Sequence, residues 1–345
     1  MDYPMLSLQD AIGSKLTKDI VNNRGVLLVP ASTIIGREHI RILELHEIEL
    51  THSDITSIGP YANMEHDHNT NIINEAVLEV GHLFEEVRET RQISLSNFRK
   101  NVIPIIQDVA TQGNPLFTLF ASLQSKDDYT YRHNVAVGAI SNLIGNWMGL
   151  ERNELLQLTT AALLHDVGKM LIPSEILIKP EKLTPEEFSV MKSHTVLGYE
   201  LLKKTVGVTH RQALVALQHH ERMDGSGYPF GIKKEKIDLF SRIVSVADVF
   251  HAMTSKRTYR DPSPFYEVLF QIRNDAFGIL DPAITKLFIE KIMNSLIGHS
   301  VELTDGSEGI ILMINANEPI RPLIQISDRY LDLSKELQIH IKQIH

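Results

Sequence analysis

The chain has 345 residues, of which 43% are hydrophobic and 22% charged, and it contains no cysteine. Such a length and composition predict a folded, soluble protein with one large core and one or two smaller modules. Without cysteine, disulfides, thiolate nucleophiles and Cys-ligated metals are excluded, so any metal must bind to His, Asp or Glu. The formal net charge of −9 argues against broad nucleic-acid binding.

The N-terminal residues MDYPMLSLQD lack the basic segment and apolar run of a signal peptide. No apolar segment approaches the ~20 residues that are needed to span a bilayer. The sequence therefore predicts a cytoplasmic protein with no membrane partner. A small anionic ligand in a locally positive pocket remains compatible with the acidic total.

Residues 1–58 are predicted to form a small α/β module. LTKDIVNNRGVLLVP contains two strand-like runs around the turn signal NNRG, and IELTHS indicates a further strand. Between them, ASTIIGREHIRILELH is typical of a helix.

Residues 59–114 are predicted to be a linker followed by a helical stalk. The segment YANMEHDHNT at 61–70 is polar and lacks periodicity, so we interpret it as a solvated loop; metal binding by its EHDH is less favoured. Helical apolar spacing then defines two stripes, and Pro104 either kinks the second helix or begins a new one. The stripes are Ile73, Val77, Val80, Phe84 and Val87, then Leu95, Phe98, Val102, Ile105 and Val109. They either pair two copies in a homodimer through residues 73–109 or pack on the neighbouring domain.

Residues 115–296 are predicted to be almost wholly helical, and residues 297–345 to be a β-rich appendage with a helical tail. In the appendage, two strand-like runs flank Asp305 and Gly306, and PLIQIS suggests another strand. The fold class is therefore mainly α, with a small α/β module before the helical domain and a β-rich appendage after it.

Histidine and aspartate recur at apolar helix edges within 115–296. A lone helical histidine is more often a core or surface residue than a ligand, and an aspartate in an apolar run can be a cap. Burying the carboxylate of Asp248 in SVADVF, however, costs several kcal/mol unless it is paired or metal-bound. Adjacent helical residues diverge by about 100°, so His165 and Asp166 could reach two ions, or Asp166 could bridge them. Together the residues favour a metal site.

The series H…HD…H…HH…D resembles the HD superfamily of metal-dependent phosphohydrolases. HDVGK followed by HHERMDGSGYP is similar to the HD-GYP subgroup in particular, and the eleven-residue block is far more specific than an HD dipeptide. The resemblance implies an all-helical domain that hydrolyses cyclic di-GMP at a dinuclear metal centre. The metal ligands that it implies, with Asp166 bridging, are His133, His165, Asp166, His194, His219, His220 and Asp248.

Two divalent ions would activate water and stabilise the charged transition state. All-N/O ligation with a bridging carboxylate suits Fe or Mn, with Zn, Co or Ni as alternatives. Some members of the subgroup add a third metal through a glutamate one turn before the first histidine. Tyr129 occupies that place here, with Asp127 and Asp128 upstream, so we expect two ions.

The resemblance assigns Asp166 and Lys169 to catalysis, and Lys169, Arg257 and Arg260 to substrate phosphates. Gly225 and Gly227 would let the loop approach the substrate, and Tyr228-Pro229 would fix the shape of that loop. Lys256 and Arg222 are weaker candidates for phosphate contact, and a solvated basic patch is the plain alternative for SKRTYR. Asp224 either orients a ligand histidine or caps the glycine turn.

The leading functional hypothesis is a cyclic di-GMP phosphodiesterase that forms linear pGpG, GMP or both. The alternatives are a phosphodiesterase for another cyclic dinucleotide or nucleotide, and a non-enzymatic nucleotide-responsive scaffold. The sequence does not identify the metal, the product, the base specificity, the signalling partner or the oligomeric state.

Overall fold

The computed structural model divides the chain into two compact units, Met1–Asn69 with Met293–His345, and Thr70–Ile292. The residues that it describes are 5–6, 8–11, 14–22, 26–31, 33, 35–46, 48–51, 54–56, 61–111, 129–255, 265–276 and 278–344.

Helices make up most of the second unit, and the mainly α prediction is confirmed. Its helices are α2 (Tyr61–Thr90, which begins in the first unit's range), α3 (Leu95–Thr111), α4 (Tyr129–Trp147), α5 (Arg152–Leu163), α6 (Ser174–Leu177), α7 (Pro185–Lys192), α8 (His194–Lys204), α9 (His210–Gln218), α10 (Leu239–Thr254), α11 (Phe265–Asp275) and α12 (Pro282–Ser295). Short 3₁₀ helices at Val167–Leu171 and Lys234–Lys236 join some of them.

Two central helices, α4 and α10, are buried along much of their length. Apolar side chains such as Ile140, Ile144, Val244 and Phe250 are wholly enclosed. Because these helices are apolar on more than one face, they must be covered on several sides, as central helices of a helical domain are. The polar residues buried among them therefore require partners, and several of these residues belong to the predicted metal site.

The segment 61–70 is helical, so its interpretation as a solvated loop is wrong. Extending an existing helix fixes one residue for each added hydrogen bond, whereas starting a helix is costly. Residues 61–70 contain neither glycine nor proline and lead directly into the apolar stripe that begins at Ile73. A lack of apolar periodicity was therefore insufficient evidence against a helix.

The apolar stripes of α2 and α3 are buried within the chain itself. Ile73, Val77, Val80, Phe84 and Val87 are at most 3% exposed, and the ring of Phe84 meets that of Tyr131 on α4 edge-on. On α3, which also packs on α4, Leu95, Phe98 and Val102 are buried, and Ile106 is buried where the spacing predicted Ile105. Of the two arrangements considered above, this is packing on the neighbouring helical domain. Pro104 lies inside α3 and does not begin a new helix. The homodimer remains a prediction.

The first unit combines short strands from the N-terminal residues with a C-terminal sheet. Helix α1 (Arg37–Leu45) accompanies three antiparallel pairs: β1 (Met5–Leu6) with β5 (Leu50–Thr51), β2 (Lys15–Leu16) with β6 (Ile55–Thr56), and β3 (Ile20–Val21) with β4 (Leu27–Val29). The C-terminal sheet is antiparallel in the order β10-β9-β8-β7-β11, formed by β7 (Ser300–Leu303), β8 (Glu308–Met313), β9 (Leu323–Ile326), β10 (Arg329–Asp332) and β11 (Ile341–Ile344). Ile310 of β8 packs against the N-terminal apolar core, so both ends of the chain contribute to one unit.

The helical tail predicted at the C-terminus is wrong, because the chain ends in strand β11. Ile339 and Ile341 alternate with polar residues, which is the two-residue period of a strand. The neighbouring strand β7 offers an edge with unpaired backbone groups, and β11 pairs with it so that Ile341 is buried. Pairing with this edge thus determines the conformation of Ile341–Ile344.

No helix in the described ranges is both long enough and apolar enough to cross a bilayer.

Candidate metal centre

The predicted ligand residues lie mostly at helix ends. His133 lies on α4 and Asp248 on α10, whereas His194 is the first residue of α8 and His219 directly follows α9. His165 and Asp166 had been expected on a helix. They occupy the turn between α5 and the 3₁₀ helix Val167–Leu171, so the helical geometry assumed for this pair is wrong. In this turn, the side chains of His165 and Asp166 can both point toward the other ligand residues.

The structure brings all seven predicted ligand residues together in two clusters. Within each cluster, one ligand atom from every member lies within 4.8 Å of the others. The first cluster is Asp166, His194, His219 and His220, and the second is His133, His165 and Asp248. Apart from His220, which is partly exposed, all of these residues are buried.

The carboxylate of Asp166 lies between the two clusters. Its Oδ1 is 3.3 Å from Nε2 of His194 and 3.6 Å from Nε2 of His219. Its Oδ2 is 3.4 Å from Nε2 of His165 and 3.8 Å from Nε2 of His133. Each oxygen thus faces a different group of histidines, which is the arrangement of a carboxylate that can bridge two cations.

Asp248 also faces both clusters. Its Oδ1 is 3.1 Å from Nε2 of His133, and its Oδ2 is 3.8 Å from Nδ1 of His220. Burial raises the pKa of Asp248, but the hydrogen bond and charge of His133 hold it well below its usual value. Burial likewise raises the pKa of Asp166, yet Lys169 and His165 hold that pKa well below its usual value. Two buried negative charges therefore lie among the histidines.

Main-chain carbonyl groups fix the tautomers of three of the histidines. Nδ1 of His165 donates to the carbonyl oxygen of Ala162 at 2.7 Å, and Nδ1 of His194 donates to that of Met191 at 2.7 Å. Nδ1 of His219 donates to two carbonyls in the last turn of α9, at 3.0 and 3.1 Å. A carbonyl oxygen can only accept, so Nδ1 carries the hydrogen and, in the neutral ring, Nε2 presents a lone pair.

These lone pairs face one another and the carboxylate oxygens, an arrangement that fits a bound cation. Nε2 of His194 and Nε2 of His219 are 3.4 Å apart. Nε2 of His165 and Oδ1 of Asp166 are buried without a hydrogen-bond partner. Metal–ligand bonds of about 2.0–2.2 Å place neighbouring ligand atoms roughly 3.0–3.5 Å apart. The Nε2 atoms of His194 and His219 therefore already have the spacing that a shared divalent ion requires.

Lowered pKa values favour neutral, ligand-ready rings for His219 and His220 of the first cluster. Burial lowers the pKa of His219 to about 4, and burial together with His219 holds the pKa of His220 well below its usual value. Burial also lowers the pKa of His165, but Asp166 outweighs burial and the pKa is raised. A positive charge, either a proton or a metal ion, is thus favoured between His165 and Asp166.

His251 is a further buried residue at the centre that the sequence analysis missed. Its Nδ1 lies 2.9 Å from Nδ1 of His133, and its Nε2 lies 3.0 Å from Oγ of Ser255. If Nε2 of His133 is to present a lone pair toward the cluster, its Nδ1 must carry the hydrogen and Nδ1 of His251 must accept it. The spacing from Asp248 to His251 is three residues on α10, so one face of this helix supplies both side chains.

Glu221 and Gly227 hold the GSGYP loop against the cluster. The carboxylate of Glu221, 3% exposed, accepts hydrogen bonds from the backbone N–H groups of Phe230 and Ile232 at 2.8 and 3.0 Å. A Cβ on Gly227 would lie 2.5 Å from both Cα of Glu221 and the carbonyl oxygen of His220, so only glycine fits. The loop turns back onto the His219-His220 pair for this reason.

Gly168 allows the turn that carries Asp166 to pack directly on α8. A Cβ at this position would lie 2.5 Å from the backbone nitrogen of Gly198, and closer still to the carbonyl oxygen of His194. Backbone therefore meets backbone, and this contact sets the distance between Asp166 and His194.

Lys169 contacts Asp166, with its Nζ 2.5 Å from Oδ2. The lysine side chain is 27% exposed and the aspartate 2%, so the lysine is the member of the pair that reaches solvent. Arg257, Arg260 and Lys256 lie outside the described residues, as do Asp127 and Asp128.

Other candidates near the loop have local partners. Arg222 donates to Oγ of Ser245 at 2.8 Å. Asp224 accepts from the backbone N–H of Ser226 at 2.8 Å, which is the turn-capping alternative. Gly225 has φ of +87°, a conformation that favours glycine.

Comparison with known proteins gives the same assignment as the sequence motifs. The family model for the HD domain matches residues 118–284. A cyclic di-GMP phosphodiesterase of Thermotoga maritima is 41% identical over 166 residues, which cover 48% of this chain and 45% of that protein. A cyclic di-GMP phosphodiesterase of Pseudomonas aeruginosa is 32% identical over 259 residues, covering 75% of this chain and 62% of that protein.

Other similar proteins differ in the substrate that they are named for. A 3′3′-cGAMP-specific phosphodiesterase of Vibrio cholerae is 30% identical over 223 residues, covering 63% of this chain and 43% of that protein. Among solved structures, a HDG"Y"P protein from Bdellovibrio bacteriovorus matches 85% of this chain and 100% of its own, with a TM-score of 0.51 and 18% identity. At this identity the likeness shows the fold alone.

The chain spans about half to three fifths of the length of the two cyclic di-GMP phosphodiesterases named above. The matched region nevertheless includes the whole candidate metal centre and the GYP block. The chain therefore contains an HD domain at residues 118–284, and this domain carries the GYP block of the HD-GYP subgroup.

Proposed function

We propose that the helical domain hydrolyses a cyclic dinucleotide, with cyclic di-GMP as the substrate and linear pGpG, GMP or both as products. The observation that carries the proposal is the position of Asp166, whose two carboxylate oxygens face two different groups of histidines at 3.3–3.8 Å. The names of the Thermotoga and Pseudomonas relatives support the choice of substrate.

Two divalent ions would be held by the seven residues of the clusters, with Asp166 shared. The first ion would take His194, His219 and His220, and the second His133, His165 and Asp248. Nitrogen and oxygen donors with a shared carboxylate suit Fe or Mn, and Zn, Co or Ni are alternatives. When bound, such an ion pair supplies Lewis-acid activation of water and charge stabilisation for phosphodiester hydrolysis.

The residues of the chain keep the donors aligned and balance charge. The carbonyl contacts to Nδ1 hold the rings of His165, His194 and His219 in one orientation, which limits reorganisation when substrate binds. Among the described residues, Lys169 is a partly exposed cation beside Asp166 and is therefore placed to meet a substrate phosphate. Arg257 and Arg260 are proposed as further phosphate contacts, and Gly225 and Gly227 as the positions where the loop approaches the substrate.

Hydrolysis of cyclic di-GMP by purified protein loaded with Fe²⁺ or Mn²⁺ tests the proposal, with products separated by chromatography. Asp166→Asn retains the shape of the side chain but removes the shared negative charge, so we expect loss of bound metal and of turnover. Glu181→Gln, a change of the same kind at an exposed acidic residue, is the control. A metal-loaded wild-type protein that leaves every cyclic dinucleotide intact would contradict the proposal.

A second candidate substrate is a mixed cyclic dinucleotide, because relatives in Vibrio cholerae are named for 3′3′-cGAMP. Parallel kcat/KM measurements with cyclic di-GMP, 3′3′-cGAMP and cyclic di-AMP distinguish the candidates. A non-enzymatic role predicts instead that the double variant His165→Ala, Asp166→Ala keeps its cellular function, whereas an enzymatic role predicts loss.

A further inference from the structure

An exposed aromatic side chain lies beside the metal centre without contributing to the core. Phe188 on α7 is 47% exposed, although a phenylalanine gains most stability when it is buried. Lys192 follows it by four residues on the same helical face. Helix α7 ends at Lys192, and α8 begins two residues later with His194, so this face is directly connected to the first cluster.

Tyr228 of the GYP loop joins Phe188 to the clustered histidines. Its ring centroid lies 6.4 Å from that of Phe188, 4.7 Å from that of His220 and 6.4 Å from that of His194. Nζ of Lys192 lies 5.3 Å from the Phe188 ring and 5.9 Å from the Tyr228 ring. Two aromatic rings and one cation therefore form a wall that starts at the metal centre and ends in solvent.

The chemistry of this wall suits a nucleobase better than a phosphate. Aromatic side chains stack on any base, and a lysine can donate to O6 and N7 of guanine, whereas adenine presents an amino group in place of O6. In a nucleotide, the ribose separates the base from its phosphate. A dinucleotide whose phosphate lies at the metal centre thus places a base beside the centre, which is where Phe188 and Lys192 lie.

We propose that Phe188, Lys192 and Tyr228 form a binding subsite for one guanine base of the substrate. The inference rests on the proposed function, because the phosphate must lie at the metal centre. Phe188 supplies the stacking surface, Tyr228 connects that surface to the histidine cluster, and Lys192 favours guanine over adenine.

Two substrates separate this role from an effect on the metal centre. Cyclic di-GMP carries bases, whereas bis(trifluoroethyl) phosphate is a phosphodiester with no aromatic ring. We expect Phe188→Ala to raise KM for cyclic di-GMP by roughly 5- to 150-fold, the range for loss of one stacked base, and to leave kcat/KM for bis(trifluoroethyl) phosphate unchanged. Metal content should also stay at the wild-type value.

Val190→Ala is the matched control, because Val190 is 39% exposed on the same helix but points about 200° away from Phe188. Val190→Ala should leave the kinetic constants for both substrates unchanged. Lys192→Met keeps the length of the side chain and removes its charge. We expect it to lower the preference for cyclic di-GMP over cyclic di-AMP by about tenfold.

The outcomes distinguish failure of the subsite from failure of the proposed function. Equal losses on both substrates, or lower metal content in Phe188→Ala, would show a structural role and overturn the subsite, as would unchanged kinetics on cyclic di-GMP. If wild-type protein hydrolyses no cyclic dinucleotide, the affinity for cyclic di-GMP, measured by calorimetry, still tests the subsite. Phe188→Ala should then raise the Kd by the same factor. A wild-type protein that binds no cyclic dinucleotide would also overturn the subsite.

Discussion

Replacing Gly168 with alanine should separate the two halves of the first metal cluster. The new Cβ would lie 2.5 Å from the backbone nitrogen of Gly198, 2.9 Å from its Cα, and closer still to the carbonyl oxygen of His194. An ordinary contact of this kind is about 3.5–4.0 Å. Because all of these neighbours are backbone atoms, the clash is relieved only if the turn and α8 separate by at least about 1 Å.

The separation acts directly on the site, because Asp166 precedes Gly168 by two residues and His194 begins α8. Oδ1 of Asp166 and Nε2 of His194 are now 3.3 Å apart, and an additional 1 Å would exceed the spacing that one ion can span. Overpacking of this kind costs about 1–3 kcal/mol of stability. A misplacement of about 1 Å at a reacting centre lowers rates by about 100-fold.

Elemental analysis, calorimetric unfolding and kcat/KM for cyclic di-GMP measure the three effects. Gly198→Ala is the control from the opposite side of the contact, since its nearest atoms would be 3.3–3.4 Å away and the neighbours need to yield only slightly. Gly168→Ala should have a lower metal content, a lower Tm and a kcat/KM that is reduced by about 100-fold. Gly198→Ala should change each of these three quantities little. Wild-type metal content and Tm in Gly168→Ala would refute the reasoning.

Three further predictions concern the surroundings of the cluster. His251→Leu removes the hydrogen-bond acceptor for Nδ1 of His133 and should lower metal affinity by about 10–100-fold. His251→Gln keeps an acceptor oxygen and should retain most of the metal affinity. Equal affinities of the two variants in metal titrations would contradict this role. Gly227→Ala should lower stability by about 1–3 kcal/mol, seen as a fall in Tm, because the loop cannot stay against Glu221; an unchanged Tm would count against the close packing. Chelation should lower Tm, and Mn²⁺ at about 100 Kd should restore roughly 2.7 kcal/mol; a Tm that is independent of metal would argue against a built site.

The sequence predicted the members of the site better than their local structure. An aspartate in SVADVF and a His-Asp pair between LeuLeu and ValGly are costly to bury, and this cost is visible in the sequence itself. Their backbone is less predictable, because apolar residues on both sides of His165 fit a helix and a turn equally well. The packing of Gly168 on α8 favours the turn.

Other features depended on contacts that no local pattern contains. The strand at the C-terminus forms because it pairs with β7, which lies far earlier in the chain. Residues 61–70 are helical because they are continuous with the packed part of α2. His251 resembles any histidine at an apolar helix edge, and its role follows only from its 2.9 Å distance to His133 across two helices. Phe188 could not be distinguished from a core residue until its exposure was known.

The imidazole rings of His165, His194 and His219 are anchored by peptide carbonyls rather than by other side chains. Those carbonyls belong to Ala162, Met191, Val215 and Ala216. Every residue type carries the same peptide oxygen, so these four positions can change in evolution while the rings keep their orientation. The outer support of this centre would consequently leave little trace in a comparison of related chains, and engineers who transplant only the seven donors into another scaffold must copy the helix ends as well.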